Sequence, residues 1–276
     1  MMAISDQEFE ALRSLIYQRF GINLTDQKRS LLVGRLQKLL RTNGFSTFEE
    51  YYAFLQRDGS GQALSELINL ISTNYTYFNR EKDHFDFFYQ TALPTVVKRL
   101  RQQNRKDLRI WCAGCSTGEE PYTLLMLMAE FLGQDYRNWD AGILATDISE
   151  RVLSVARSGI YPEDRVRQVP EQLRKYFVKR QDGQSAIRDD LRREATFRRF
   201  NLMNNQFPFK KPFQIIFCRN VMIYFDQPTR DALVRRFYQA TEPGGYLFIG
   251  HSETLGRNHD LYRYLIPAAY QKGEMS

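Results

Sequence analysis

In the N-terminal quarter of the chain the apolar positions fall at helical spacing. Phe9, Leu12, Ile16 and Phe20 recur three and four residues apart, the stripe of an amphipathic helix, and Gly21 supplies its stop. Asp26 is placed to cap the helix that follows, and Asn43-Gly44 and Asp58-Gly59 break the rest into short helices. No strand-like run interrupts this stretch. The pattern predicts an all-helical N-terminal domain over residues 1–75, with a linker reaching to about residue 90.

After about residue 105 short apolar runs alternate with amphipathic segments. Leu108–Ala113 (LRIWCA), Gly142–Ile148 (GILATDI), Phe213–Cys218 (FQIIFC) and Tyr246–Gly250 (YLFIG) read as buried strands. Glu120–Leu132, Glu150–Ser158 and Pro228–Thr241 read as helices between them. The alternation predicts an α/β domain over 91–276, a parallel sheet with helices on both faces. In such a fold ligands bind at the carboxyl ends of the strands. Residues 175–200 break the rhythm: two short extended runs flank Asp182-Gly183, and an approach to a further strand ends near Asn201. They are expected to form a small antiparallel β-hairpin insert.

Composition narrows the class. Of 276 residues 43% are hydrophobic and 26% charged, which excludes a disordered or collagenous chain. The net charge of +7 admits nucleic acid, anionic membrane or an acidic protein surface as partner. Three cysteines are too few for a disulfide scaffold and favour a reducing compartment. The longest apolar stretch, Leu124–Leu132, is broken by Glu130, and Asp6, Glu8 and Glu10 stand where a signal peptide would be basic and then apolar. A soluble, cytoplasmic protein without direct membrane insertion is expected.

The chemistry concentrates between the first strand and its helix, in Trp111-Cys-Ala-Gly-Cys-Ser-Thr-Gly-Glu-Glu-Pro-Tyr122. Small residues at Ala113, Gly114, Ser116 and Gly118 let the backbone approach a ligand, as in nucleotide-binding turns. No Gly-Lys-Ser/Thr follows, and Glu119 and Glu120 stand where a phosphate would need cations, so this is no phosphate loop. The second strand ends at Asp147, placed to accept ribose hydroxyls. A ribose without phosphates, beside carboxylates that suit a sulfonium, describes S-adenosylmethionine. An ordinary βαβ crossover with a helix-capping acid is the plain alternative. Cys112 and Cys115 also resemble a redox pair, but Ser-Thr-Gly-Glu-Glu separates them from the helix. For a metal, Cys218 and the scattered His84, His251 and His259 offer no second ligand pair at metal spacing to join Cys112 and Cys115, so none is expected.

The chain resembles the CheR-type chemotaxis receptor methyltransferases, which methylate glutamate side chains on chemoreceptor helices. The resemblance rests on Thr73-Asn-Tyr-Thr-Tyr-Phe-Asn-Arg-Glu81, Ser116–Tyr122, Ala145-Thr-Asp-Ile148, Asn201-Leu202, Phe217-Cys-Arg-Asn-Val-Met-Ile-Tyr-Phe225 and Gly244–Glu253, in family order over nearly the whole chain. It implies a Rossmann-like methyltransferase core that binds S-adenosylmethionine and releases S-adenosylhomocysteine. By position, Asn74, Thr76 and Arg80 would fold over the cofactor, and Gly114 and Ser116 would form its turn. Asp147 would hold the ribose, and Glu119 or Glu120 would face the methionyl end. Asn201 and Leu202 would border the adenine, and Arg219 and Asn220 would complete the wall.

A glutamate acceptor is ionised near neutral pH, so methyl transfer to it needs no strong base. The protein must instead align and desolvate the carboxylate. Arg80 and Tyr224 are the candidates for that catalytic role, although Arg80 alone would pass for a surface ion-pair partner and Tyr224 for a core aromatic. The stretch Lys28–Arg41 (KRSLLVGRLQKLLR) carries five basic residues and no acid. Lys28, Arg35, Lys38 and Arg41 share one helical arc, while Arg29 sits among the apolar positions. Arg35, Lys38 and Arg41 are therefore expected to recognise the acidic methylation helices of chemoreceptors, unless the arc is simply a solvated face. The insert occupies the place where some family members bind a C-terminal receptor pentapeptide, but its turn looks short for that tether. A nucleic-acid methyltransferase and a non-catalytic cofactor sensor are the rival readings. No RNA-binding module or amine-methylation motif supports the first, so no nucleic-acid partner is expected.

Overall fold

The computed structural model describes residues 3–257 and 259–273. Local chemistry sets the ends of the N-terminal helices. α1 (Asp6–Phe20) opens on a capping box in which Ser5 and Glu8 satisfy each other's backbone N–H groups, and it closes on Gly21 in the left-handed region (φ 70°). α2 (Arg29–Thr42), α3 (Phe48–Arg57) and α4 (Gln62–Ile71) follow, broken at Asn43-Gly44 and Asp58-Gly59. Asp26 does not cap α2. It opens a 3₁₀ turn, and its carboxylate meets Arg13. The stripe of Phe9, Leu12, Ile16 and Phe20 lies in one buried cluster with residues such as Leu36, Phe48 and Leu67, a core separate from those of the sheet.

An extended linker leads to α5 (Lys82–Phe87), a π-helical turn and α6 (Leu93–Gln102). Then come β1 (Ile110–Ala113), α7 (Glu119–Leu132), β2 (Ile143–Asp147), α8 (Glu150–Ser158), β3 (Ile160–Pro162), α9 (Glu163–Val166), β4 (Phe177–Lys179), β5 (Gln184–Ile187) and α10 (Asp189–Arg192). The chain continues through β6 (Ala195–Arg199), β7 (Phe213–Cys218), α11 (Gln227–Ala240), β8 (Thr241–Ile249), β9 (Tyr262–Ile266) and β10 (Ala269–Lys272).

The main sheet has seven strands in the order β6-β2-β1-β7-β8-β10-β9. From β6 to β8 neighbours run parallel, and β10 and β9 return antiparallel. Alternate residues feed two cores, as a doubly covered sheet requires. Ile110 and Cys112 face the core under α6 and α7, whereas Trp111 and Ala113 face the core under α11. Trp111 is fully buried there, its indole N–H donates to Thr146 Oγ1 at 2.9 Å, and Phe200, Phe207, Phe209, Phe213 and Phe237 ring it. The antiparallel end lies beyond the expected parallel rhythm, because YRYLI and AYQK mix polar residues into their apolar runs.

The insert is real but its bounds differ from 175–200. It is a three-stranded antiparallel sheet, β3-β5-β4, which starts at Ile160, while Ala195–Arg199 pairs with β2 as the edge of the main sheet. Its first strand is three residues long, too brief to leave a pattern in the sequence.

β1 and β7 are neighbours whose next strands lie on opposite sides, β2 on one and β8 on the other. That switch point opens a crevice at the carboxyl ends of the strands. Among the described residues no helix is long and apolar enough to cross a membrane.

Candidate active site

The turn after β1 forms the floor of the crevice. Gly114 (φ 94°) and Gly118 (φ 96°) take left-handed conformations, and each is also sterically fixed. A Cβ on Gly114 would stand 2.3 Å from Val221 Cγ2, and one on Gly118 would stand 2.9 Å from Ala156 Cβ and the Tyr161 hydroxyl. Gly114 and Cys115 donate their N–H groups to Thr146 O, which ties the turn to the end of β2. There Asp147 accepts from Ser116 N and Ser149 N, both at 2.9 Å. Burial raises the Asp147 pKa despite these bonds.

The linker covers the crevice from the helical side. Ser116 Oγ donates to Asn74 O (3.0 Å), and the Tyr224 hydroxyl donates to Thr73 O (3.2 Å). Arg80 Nη1 donates to Tyr75 O (2.9 Å) and meets no carboxylate among the described residues. Phe20 at the end of α1, Ile22 just after it, and Ile68 and Ile71 of α4 reach the same space, so the helical domain supplies part of the wall. The resulting cleft opens to solvent and, with that open space counted, spans about 1110 Å³.

Asn74, Thr76 and Arg80 line this cavity from the linker, Gly114, Ser116 and Glu120 from the turn and α7, and Asp147 from β2. Asn201 and Leu202 after β6, Arg219 and Asn220 after β7, and Tyr224 complete it. The structure therefore brings together all but one of the residues read as its cofactor and catalytic set.

The exception is Glu119. It is fully buried away from the cavity, paired with Arg165 at 2.6 Å and accepting from the Thr117 hydroxyl, so Glu120 is the carboxylate of the pair that faces the ligand space. Successive helical residues point about 100° apart, and only the packed rotation of α7 decides between them. Asn201 lines the cavity but spends its side chain elsewhere, donating to Arg19 O and accepting from Met203 N.

Arg219 is a buried hub. Its guanidinium, 3% exposed, meets Glu81 and Glu120, each at 3.0 Å, and the Arg80 carbonyl. Burial pushes the Glu120 pKa up, and Arg219 only partly opposes it. For Glu81 burial also acts upward, yet Arg219 and the Asn220 amide prevail and its pKa is lowered. Two roles escaped the sequence reading. Glu81 anchors the hub. Glu253 accepts the N–H groups of Gly250, Asn220 and Ile223, which shapes the loop after β7. Only their places inside longer motifs signalled them.

Of the basic residues on α2, Lys38 and Arg41 are exposed, but Arg35 is not a free surface cation. Its guanidinium donates to Ile71 O (2.6 Å) and Thr73 Oγ1 (3.1 Å), clamping the start of the linker. The expectation that Arg35 recognises a partner gives way to this internal role, which helical spacing could not reveal because the linker crosses the arc. The redox reading of the cysteines finds no support: Cys112 and Cys115 are buried, and burial holds both thiols far from ionisation. The expectation that the histidines offer no ligand set is revised for two of them. His84 and His251 meet beside Glu81, from segments too distant in sequence to show a spacing.

The family description "CheR methyltransferase, SAM binding domain" matches residues 74–269, and "CheR methyltransferase, all-alpha domain" matches residues 7–72. The chain belongs to the CheR methyltransferase family. A chemotaxis protein methyltransferase of Borreliella burgdorferi is 45% identical over 98% of this chain and 95% of its own length. One of Escherichia coli K12 is 39% identical over 91% of this chain and 86% of its own, and one of Pseudomonas aeruginosa PAO1, chemotaxis protein methyltransferase 2, is 36% identical over 96% and 92%. This CheR-family chain is a methyltransferase that uses S-adenosylmethionine.

Its residues fit that cofactor. Asp147 receives only backbone donors and has lone pairs left for hydroxyls, and Glu120 borders the cavity without excess positive charge, since Arg219 is already balanced by two acids. Ile148, Phe200 and Leu202 give the cavity an apolar stretch suited to a base.

Proposed function

We propose that the enzyme methylates glutamate side chains on the cytoplasmic helices of chemoreceptors, forming glutamate methyl esters and S-adenosylhomocysteine for adaptation in chemotaxis-type signalling. The observation that carries this reading is Arg80, a cavity-lining cation with no acid partner among the described residues, on the same wall system as the Tyr224 hydroxyl. An unpaired guanidinium suits a carboxylate acceptor and repels an ammonium. Among the described residues no histidine lines the cavity, in keeping with a nucleophile that needs no proton removed.

When bound, S-adenosylmethionine supplies an electrophilic methyl group on a sulfonium. The chain's own task is placement. Asp147 accepts the ribose hydroxyls, Gly114, Ser116, Asn74 and Thr76 enclose the cofactor, and Glu120 with Arg219 sets the charge near its amino-acid end. Asn201, Leu202 and Asn220 close the remaining wall. Arg80 and Tyr224 orient the incoming carboxylate, and the linker excludes water, which strengthens each polar contact. Lys38 and Arg41 give an exposed basic face for acidic receptor helices, and the reaction belongs in the cytoplasm, where those helices lie.

The test is transfer of labelled methyl from S-adenosylmethionine to receptor cytoplasmic fragments, followed by peptide mapping. Base-labile label on glutamate is expected, and Arg80→Ala and Tyr224→Phe should each lower turnover at saturating substrates. Label on nucleic acid, or wild-type turnover in both variants, would overturn the reading.

A further inference from the structure

We propose that Glu81, His84 and His251 form a binding site for one divalent transition-metal ion of the Zn²⁺ class, adjoining the cofactor cavity but outside it. One ligand atom from each of the three lies within 4.8 Å of the other two. The His84 ring is fully buried, and its Nδ1 has no hydrogen-bond partner although it faces Glu81 Oε2 at 3.4 Å. A buried ring nitrogen left unpaired is costly unless something binds it. Two ligands of a tetrahedral ion with bonds of 2.0–2.1 Å stand about 3.3 Å apart, so this pair already has the needed separation.

The outer nitrogens are arranged as metal-bound imidazoles require. His84 Nε2 faces Pro267 O at 3.3 Å, and His251 Nε2 meets Asp83 Oδ2 at 2.9 Å. In the neutral imidazole each contact makes Nε2 the donor and leaves the Nδ1 lone pair free, the tautomer that ligates. His84 follows Glu81 by three residues at the start of α5, while His251 comes from the loop after β8, and the two rings lie edge to face with centroids 4.5 Å apart. His251 is 41% exposed, so its ring can swing to close the distance and admit the ion from solvent. Three nitrogen and oxygen ligands leave a fourth position for water.

The ion competes with Arg219, which uses Glu81 Oε2. Arg219 keeps Glu120 and the Arg80 carbonyl when that contact weakens. The competition makes this a site of moderate affinity, unlike a closed structural zinc centre.

The test uses the full chain stripped with EDTA and titrated with Co²⁺, whose visible d–d bands report its ligands. One ion per chain is expected, displaced by Zn²⁺, without a sulfur-to-metal charge-transfer band because all three cysteines are buried. His251→Ala should abolish the bands, and Asp83→Asn should weaken binding about tenfold or more. Both positions are exposed or half-exposed, and melting in EDTA verifies that the variants fold. No stoichiometric binding to the wild-type chain, a thiolate band, or bands that persist in His251→Ala would each overturn the proposal.

Discussion

Replacing Arg35 with Ala should weaken cofactor binding, although Arg35 does not touch the cavity. The side chain makes two contacts from α2 across the junction of α4 and the linker, 2.6 Å to Ile71 O at the end of α4 and 3.1 Å to Thr73 Oγ1 in the linker. Hydrogen bonds from a charged group contribute about 1.5–3 kcal/mol, and partial exposure brings this pair toward roughly 1–2 kcal/mol. Few other bonds pin this stretch, chiefly Tyr224 on Thr73 O and Ser116 on Asn74 O. In the variant the cofactor must supply the ordering free energy that Arg35 supplied, so affinity is scaled down to the fraction of chains whose linker stays closed. At about 1.4 kcal/mol per factor of ten, the loss reaches at most roughly 5- to 30-fold, the limit in which the linker is mostly open. Calorimetric titration with S-adenosylhomocysteine measures it, and a melt without ligand separates it from misfolding. Lys38→Ala and Arg41→Ala serve as controls and should bind as the wild type does. An Arg35→Ala chain that folds and binds within about twofold of wild type would refute the clamp.

Other outcomes follow from the same geometry. Because burial raises the pKa values of Asp147 and Glu120, their protonated forms persist above the ordinary carboxylate range near about 4; cofactor affinity should therefore be full at high pH and begin to fall, as pH drops, before that range is reached, and a profile that stays flat down to about pH 4 would contradict this. Glu119→Gln removes one charge of a pair whose partner Arg165 is partly exposed, so it should cost about 2 kcal/mol in stability and lower Tm while leaving S-adenosylhomocysteine affinity intact. Charge reversal at Lys38 and Arg41 together should raise KM for receptor fragments without changing cofactor affinity, and an unchanged KM would remove α2 from recognition. A C-terminal receptor pentapeptide should give no calorimetric signal, and a micromolar one would show that the three-stranded insert does tether.

The strands that carry the site were legible because buried parallel strands are apolar throughout: FQIIFC became β7 residue for residue, and Glu150–Ser158 became α8. The Gly-rich turn was legible because its glycines answer to backbone sterics, and Asp147 because it ends the next strand. What stayed hidden depends on rotation and on chain crossings. Glu119 and Glu120 are chemically the same, and helix packing alone assigns one to Arg165 and the other to the cavity. Arg35 shares an arc with Lys38 and Arg41, yet only it lies under the linker. β3 and the β9–β10 hairpin were missed because one is very short and the others carry mixed polarity at an edge.

The helical domain gives the cavity Phe20, Ile22, Ile68 and Ile71, and the chain after α1 donates Asn23 N to Tyr224 O. A partner docked on that domain and a cofactor in the cavity thus press on opposite sides of one partition. Thermodynamic linkage then demands symmetry: whatever factor a docked receptor applies to cofactor affinity, the cofactor applies to receptor affinity. A catalytic core cut free at residue 74 would lose this reciprocity together with the partition, and its cavity would open to solvent along the side from which α1 and α4 were removed.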